Sequence, residues 1–296
     1  MKALEYEPRS SLDLRRAAGS PPQTTIRSHL RTLAELGIID RRNGRGPIDY
    51  ELGPTGGELL QVTDSVHAWL AAAPGGPLQL GSVAAKNAIK ALIDGWSSTI
   101  VRALAARPLS LTELSNLISG LNYPSLERRL MAMRLVGLVE ARPGKTRGTP
   151  YAVTNWMRAA IAPLTAAMGW EQQHRAADTA PIGRIDIESM FLLAAPILKL
   201  GPDVTGACRL AVEIEGENGA TALAGVLIRV ERGRLASCVS RLQGDVDAWL
   251  LGTAEDWIGA LLERDSDGVE AGGNGELATT VLDGLQRALF GARERA

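Results

Sequence analysis

The chain has 296 residues and a mass of 31.4 kDa, more than one core of ~100–200 residues accounts for, so two or three domains are expected. With 45% apolar residues, 22% charged residues and a mean hydropathy of zero, its composition is that of a folded globular protein and excludes extensive disorder. The net charge of -1 is unevenly spread: nine Lys/Arg stand against nine Asp/Glu in residues 1–77, twelve against six in 78–180, and eleven against eighteen in 181–296.

A basic middle beside an acidic end fits a polyanion-binding module joined to a unit with another task. The longest apolar stretch, Ser189 to Leu200, is broken by Pro196 and Lys199 and is too short to span a bilayer. The opening MKALEYEPRSS carries Glu5, Glu7 and Arg9 where a signal peptide needs an apolar core. Two cysteines are too few for a disulfide framework or a zinc knuckle. A cytoplasmic protein without membrane contact is therefore expected.

Along the chain, residues 1–40 align without a gap on residues 101–140. Seven positions are identical: Ala3/Ala103, Leu4/Leu104, Pro8/Pro108, Ser10/Ser110, Leu14/Leu114, Leu30/Leu130 and Gly37/Gly137. The shared positions are mostly apolar, so the repeat predicts one core built twice. In the first copy Ile26, Leu30 and Leu33 follow Pro21-Pro22 at helical spacing, and Gly37 ends the helix. A short strand, Ile38-Ile39, a basic turn and a returning strand from Ile48 to Leu52 come next. Gln61 to Ala72 then places Val62, Val66, Trp69 and Leu70 on one helical face, before Ala73-Pro74-Gly75-Gly76-Pro77 breaks the chain.

The second copy reads alike, with helices predicted over Ser98–Ala106, Ser110–Ile118 and from Tyr123-Pro124-Ser125 to Gly137. The strands are Leu138-Val139 and Tyr151-Ala152-Val153. Trp156 to Ala177 is a further helix, kinked at Pro163. Only the second copy has the whole of its first helix, because the first copy begins at the equivalent of Val101. Trp96, Trp156 and Trp170 read as packing residues. Three helices and a basic hairpin make a winged helix-turn-helix, whose third helix enters the major groove. Candidate DNA contacts are Gln23, Thr24, Thr25, Arg27, Ser28 and Arg31 in the first copy, and Tyr123, Ser125, Arg128 and Arg129 in the second. The hairpins add Arg41, Arg42 and Arg45, and Arg142, Lys145 and Arg147, for phosphates or a minor groove.

The stretches PLSLTELSNLISGLNYPSLERRLMAMRLVGLVEARPGKTRGTPYAVTNW, SLDLRRAAGSPPQTTIRSHLRTLAELGIIDRR and YELGPTGGELL resemble the HxlR-type regulators of the MarR-like winged-helix group. The resemblance covers residues 1–175 and implies a bacterial transcriptional regulator whose terminal helices help form a dimer. Such regulators carry one winged helix per chain, whereas this chain carries two, so pairing is expected within the chain as a pseudo-dimer or between chains as a homodimer.

In the acidic third, Ile185–Leu200 reads as a helix and Cys208–Glu215 as an alternating strand. Val226–Val230 and Ala236–Leu242 form a hairpin around Glu231-Arg232-Gly233-Arg234. Val246 to Glu263 is predicted to hold helices bearing Trp249 and Trp257 with a turn at Gly252. A strand over Gly268–Ala271 leads into a last helix over Glu276–Phe290, with Leu277, Val281, Leu285 and Phe290 inward. The expectation is one antiparallel sheet covered by helices. VDAWLLGTAEDWIGALLE and VEAGGNGELATTVLDGLQRALF resemble the sterol-carrier-protein domain over residues 185–291. That resemblance implies an apolar tunnel for a hydrophobic small molecule, lined by Phe191, Leu192, Trp249, Trp257, Leu285 and Leu289.

Catalytic patterns are missing. Gly144-Lys145-Thr146 lacks the glycine a phosphate loop needs at position 139, where Val139 stands. Gly95-Trp96-Ser97-Ser98-Thr99 is not a nucleophile elbow. His29, His67 and His174 lie on separate helices without metal-ligand spacing. Cys208 and Cys238 fall on two predicted strands that could be neighbours, as buried thiols or a redox pair.

The fold expected is mostly α with α+β: winged helices over 1–77 and 78–180, then a sterol-carrier-like α+β domain over 181–296. The function expected is non-enzymatic and without a cofactor or metal: a regulator that binds double-stranded DNA and responds to a hydrophobic small molecule. The alternative is a protein that sequesters a hydrophobic metabolite or antibiotic and keeps its winged helices as scaffold.

Overall fold

The computed structural model describes residues 2–42, 48–93, 95–118, 120–143, 148–175, 182–215 and 219–291. Its architecture is mixed α+β, with two three-stranded sheets and one five-stranded sheet among the described residues. The first unit runs β1 (Arg9–Ser10), α1 (Ser11–Ala17), α2 (Gln23–Glu35), β2 (Ile39–Arg42), β3 (Asp49–Leu52) and α3 (Pro54–Ala71). After α4 (Val83–Ile93) the order recurs. It reads α5 (Gly95–Ala106), β4 (Leu109–Ser110), α6 (Leu111–Leu117), α7 (Tyr123–Leu135), β5 (Val139–Ala141), β6 (Pro150–Val153), α8 (Asn155–Ala159) and α9 (Ile161–Arg175).

The repeat extends to sheet register and caps. Strand orders are β1-β3-β2 and β4-β6-β5, and Arg9 faces Tyr50 as Leu109 faces Tyr151. Ser10 accepts the Asp13 amide at 3.2 Å, and Ser110 accepts that of Glu113 at 3.3 Å, starting α1 and α6. Gly37 (φ +67°) and Gly137 (φ +85°) follow α2 and α7 in left-handed geometry. The amides of Ile38 and Leu138 then close on the carbonyls of Leu33 and Met133, both at 2.9 Å. Leu14/Leu114, Ile26/Leu126, Leu30/Leu130, Ile38/Leu138 and Ile39/Val139 are buried in both copies. Where the second copy has α5, the first has a short 3-10 turn, Lys2–Leu4, that still buries Leu4 as α5 buries Leu104.

The two copies meet through the helices that follow their hairpins. From β3 and β6 onward the repeat offset is 101 residues, so Thr55 corresponds to Trp156 and Trp69 to Trp170. The Trp69 Nε1–H donates to the Trp156 carbonyl at 2.9 Å, and the Trp170 Nε1–H donates to that of Thr55 at 3.0 Å. These are the same bond made in both directions, the signature of a two-fold-like interface. Each tryptophan crosses over: Trp69 joins the core of the second copy, and Trp170 packs on the small core of the first. The Trp69 and Trp156 rings stack at 4.6 Å and 8°. The Trp156 Nε1–H donates back to the Trp69 carbonyl at 2.7 Å.

Two helix boundaries differ from expectation. Helix α3 begins at Pro54 rather than Gln61, with proline in its first turn, where an amide has no helical partner. Trp156–Ala177 is not one kinked helix but α8 and α9, separated at Ala160. Pro163 sits in the first turn of α9, so its missing amide disrupts nothing.

The C-terminal part comprises α10 (Arg184–Ala194), a 3-10 turn (Ala195–Ile197), β7 (Gly206–Glu215), β8 (Thr221–Glu231), β9 (Arg234–Val239), β10 (Ala248–Thr253), α11 (Ala254–Leu262), β11 (Glu270–Gly273) and α12 (Gly275–Phe290). The strand order is β11-β10-β7-β8-β9. The sheet is mixed rather than antiparallel, because β10 runs parallel to β7. The β8–β9 turn holds Arg232 and Gly233 at φ +51° and +73°, the paired left-handed geometry of a tight hairpin. Cys208, Leu210 and Val212 of β7 and Ala224, Val226, Ile228 and Val230 of β8 enter a core shared with the second copy. The core of the first copy is separate.

Trp249 lies on β10 rather than on a helix, and Gly252 lies within that strand instead of making a turn. Its indole covers Gly272, the cross-strand partner, where an added Cβ would meet the ring at 2.3 Å. Phe290, expected inward, is half-buried.

Candidate functional site

Two surfaces qualify as sites, the outer faces of α2 and α7 and a cleft lined by α9, α10 and α11. On α2, burial of Ile26 and Leu30 turns Thr24, Thr25, Arg27, Ser28 and Arg31 to solvent, with Gln23 half-buried at the first turn. On α7, Leu126, Leu130 and Met133 are buried, Tyr123 and Arg128 are exposed, and Ser125 and Arg129 are half-buried. Asn122 caps α7 by accepting the Ser125 amide at 3.0 Å. Arg41 is exposed on β2, while Arg42 pairs across the hairpin with Glu51 at 2.6 Å. Arg142 donates to Glu140 at 3.1 Å. Arg45, Lys145 and Arg147, with the Gly144-Lys145-Thr146 segment, lie outside the described residues, as do the Trp96 side chain and the chain between α9 and α10.

The acidic C-terminal part does not rest on those arginine faces. It is joined to the second copy through α5 and α8. Glu188 of α10, buried, accepts from the Nε of Arg102 on α5 at 3.1 Å and from its Nη2. Arg158 of α8 donates to the Leu192 carbonyl at 2.8 Å, and burial holds its guanidinium pKa below the usual value.

The cleft has a volume of about 850 Å³, within the range that holds drug-sized molecules. Its apolar wall includes Ile161, Leu164 and Met168 of α9, Met190 and Leu193 of α10, and Ile258 of α11. Glu171, Asp186, Glu255, Asp256, Glu263 and Asp265 also line it. Helices α9 and α11 meet closely at Gly169, where a Cβ would stand 2.8 Å from Leu262 and 2.9 Å from Ile258.

Beside it lies an apolar annex of about 40 Å³, sharing Ile161, Met168, Met190 and Ile258 with the cleft. Of the six expected tunnel residues, Phe191, Trp257, Leu285 and Leu289 line this annex, and Leu192 and Trp249 do not. Leu192 is buried elsewhere in the core, and Trp249 is taken up by Gly272. The annex is closed down because Phe191 meets Trp257 edge-on at 5.1 Å and the Trp257 Nε1–H is anchored to the Ala211 carbonyl at 2.9 Å. It has room for about one water rather than a lipid chain. The larger cleft, built by helices far apart in sequence, has no counterpart among the sequence-based expectations. The acidic excess of the last third is the one signal that points toward it.

Other expected groups are accounted for. His29 and His67 are exposed, and His174 meets Glu58 Oε2 at 2.7 Å beside Trp170, so it belongs to the interface between the copies. Cys208 and Cys238 both face Ile228, one from each side of β8. Two strand spacings, roughly 9.5 Å, separate them, too far for a disulfide. Burial pushes both thiol pKa values up to about 12. Among the described residues no group of His, Cys, Asp and Glu is placed to hold a metal ion, and no helix is long and apolar enough to cross a membrane.

No protein-family model matches the chain, and no curated protein matches it.

Proposed function

We propose that the chain is a transcriptional regulator in which two winged helix-turn-helix units, residues 1–77 and 78–180, act as an intrachain pseudo-dimer on double-stranded DNA. In this reading the sterol-carrier-like part, 181–296, senses a small molecule with an apolar body. The observation that carries the reading is the reciprocal pairing of Trp69 with the Trp156 carbonyl and of Trp170 with that of Thr55. It relates the two copies as subunits of a dimer are related, while Arg27, Arg31 and Arg128 stay exposed on the two third helices.

Helix α9 supplies the coupling. Ile161, Leu164 and Met168 face the cleft, and Trp170 on the same helix holds the first copy through Thr55. A ligand that favours one placement of α9 would bias the relative placement of the two DNA-reading helices, through its differential affinity for the two states. Alanine at Arg27, Arg31 and Arg128 tests the DNA half of this reading. Binding should weaken, and its salt slope should fall by about one for each phosphate that is no longer neutralised. Unchanged binding and slope would refute it.

The volume of the cleft favours a second reading, a protein that sequesters a hydrophobic metabolite. In that case the arginine variants would change nothing, and ligand affinity alone would matter.

A further inference from the structure

The cleft combines an apolar wall with six carboxylates, and none of its lining residues is Lys, Arg or His. Three of those carboxylates have local work: Asp186 accepts the Gly183 amide, Asp256 caps α11 through Thr253, and Asp265 accepts the Asp267 amide. Glu263 accepts only a long bond from Gln173, at 3.3 Å. Glu171 and Glu255 are exposed, without an ion pair among the described residues. So many like charges around one concavity raise its affinity for cations and lower it for anions.

A second observation is independent of charge. Thr165 of α9 lines the annex, is fully buried, and has no hydrogen-bond partner for its hydroxyl. A buried hydroxyl left unpaired is costly, and a ligand's polar group reaching past Met168 and Met190 would relieve it.

We propose that the cleft takes a small organic cation with an apolar body, an ammonium or guanidinium held by Glu171, Glu255 and Glu263 while the body lies on Met168 and Met190. The inference rests on the regulator reading for its consequence and narrows the ligand to a charge class. A fatty acid, the ligand a tunnel beside a sheet suggests, is disfavoured at this rim.

Three molecules with one chain and three charges test it: decylammonium, decanol and decanoate, titrated calorimetrically into the full chain at pH 7, below their aggregation limits. Decylammonium should bind roughly tenfold tighter than decanol, from exposed carboxylates acting at near-water dielectric, and the preference should shrink as salt is raised. Decanoate should bind weakest. Glu255→Gln with Glu263→Gln, both at exposed positions, should cut the cation preference to about threefold and leave decanol affinity unchanged.

Equal binding of decylammonium and decanol, tighter binding of decanoate, or no binding by any of the three would overturn the inference. Adding each molecule to the protein–DNA complex separates the two layers. Decylammonium that binds without altering DNA affinity sinks the regulator reading and leaves the cation site standing. Decanol that releases DNA as well as decylammonium does leaves the regulator standing and sinks the charge class.

Discussion

Replacing Trp69 with alanine removes a buried indole, its stack on Trp156 at 4.6 Å and its hydrogen bond to the Trp156 carbonyl at 2.9 Å. Truncation of a buried tryptophan costs about 3–5 kcal/mol. At roughly 2–4 °C per kcal/mol for a chain of this size, the melting temperature should fall by about 10 °C. Trp69→Phe keeps most of the apolar packing and loses one donor, which should cost about 1–2 kcal/mol. Because the two rings touch and each N–H serves the other's carbonyl, Trp69→Ala and Trp156→Ala should not add. The double variant should be more stable than the sum of the singles implies, by about 1 kcal/mol or more. Calorimetry with far-ultraviolet circular dichroism reads all four proteins without relying on tryptophan emission. A Trp69→Ala protein that melts within about 3 °C of the parent, or strictly additive losses, would refute the crossed-tryptophan interface.

Other perturbations follow from the same packing. Gly137→Ala places a Cβ at φ +85° and 3.2 Å from Pro74, so it should cost about 1–2 kcal/mol in urea unfolding, more than Gly37→Ala, where the space is open. Glu188→Gln leaves Arg102 without its buried carboxylate and should destabilise by about 2 kcal/mol, less than for a fully buried pair because Arg102 is 36% exposed. A cycle with Arg102→Met that shows no coupling would contradict that pairing. Cys208 and Cys238 are held neutral in the fold, up to about pH 12 against 9.0 for a free thiol. The thiol contribution to stability is therefore constant below pH 9 and lost between 9 and 12, as the unfolded chain releases protons first. Replacing both by alanine should flatten that alkaline limb, and an unchanged slope would rule out the thiols as its source.

What the sequence reveals here is what local chemistry decides. The repeat, the caps at Ser10 and Ser110 and the left-handed stops at Gly37 and Gly137 each depend on a few neighbouring residues, and each recurs in the structure. The exposed faces of α2 and α7 follow from the burial of Ile26, Leu30, Leu126 and Leu130 at helical spacing. Partner choice over long distances is less legible. That Trp69 crosses to the second copy, or that β10 joins β7 in parallel, depends on packing between segments far apart in the chain. The strand around Trp249 does carry a local signature: Ala248, Leu250 and Gly252 are buried while Trp249 and Leu251 are half-buried, the two-residue period of a strand rather than the helix expected there. The cleft has no sequence motif, because three separate helices supply its wall and its carboxylates.

DNA binding by the paired winged helices is the central claim. Fluorescence anisotropy of the full chain on duplex from its own upstream region, beside a scrambled duplex and at two salt concentrations, tests it most directly. One chain should bind per site, the native duplex should be preferred, and affinity should fall steeply as salt rises. No binding at low salt, or equal and salt-insensitive binding to both duplexes, would contradict it.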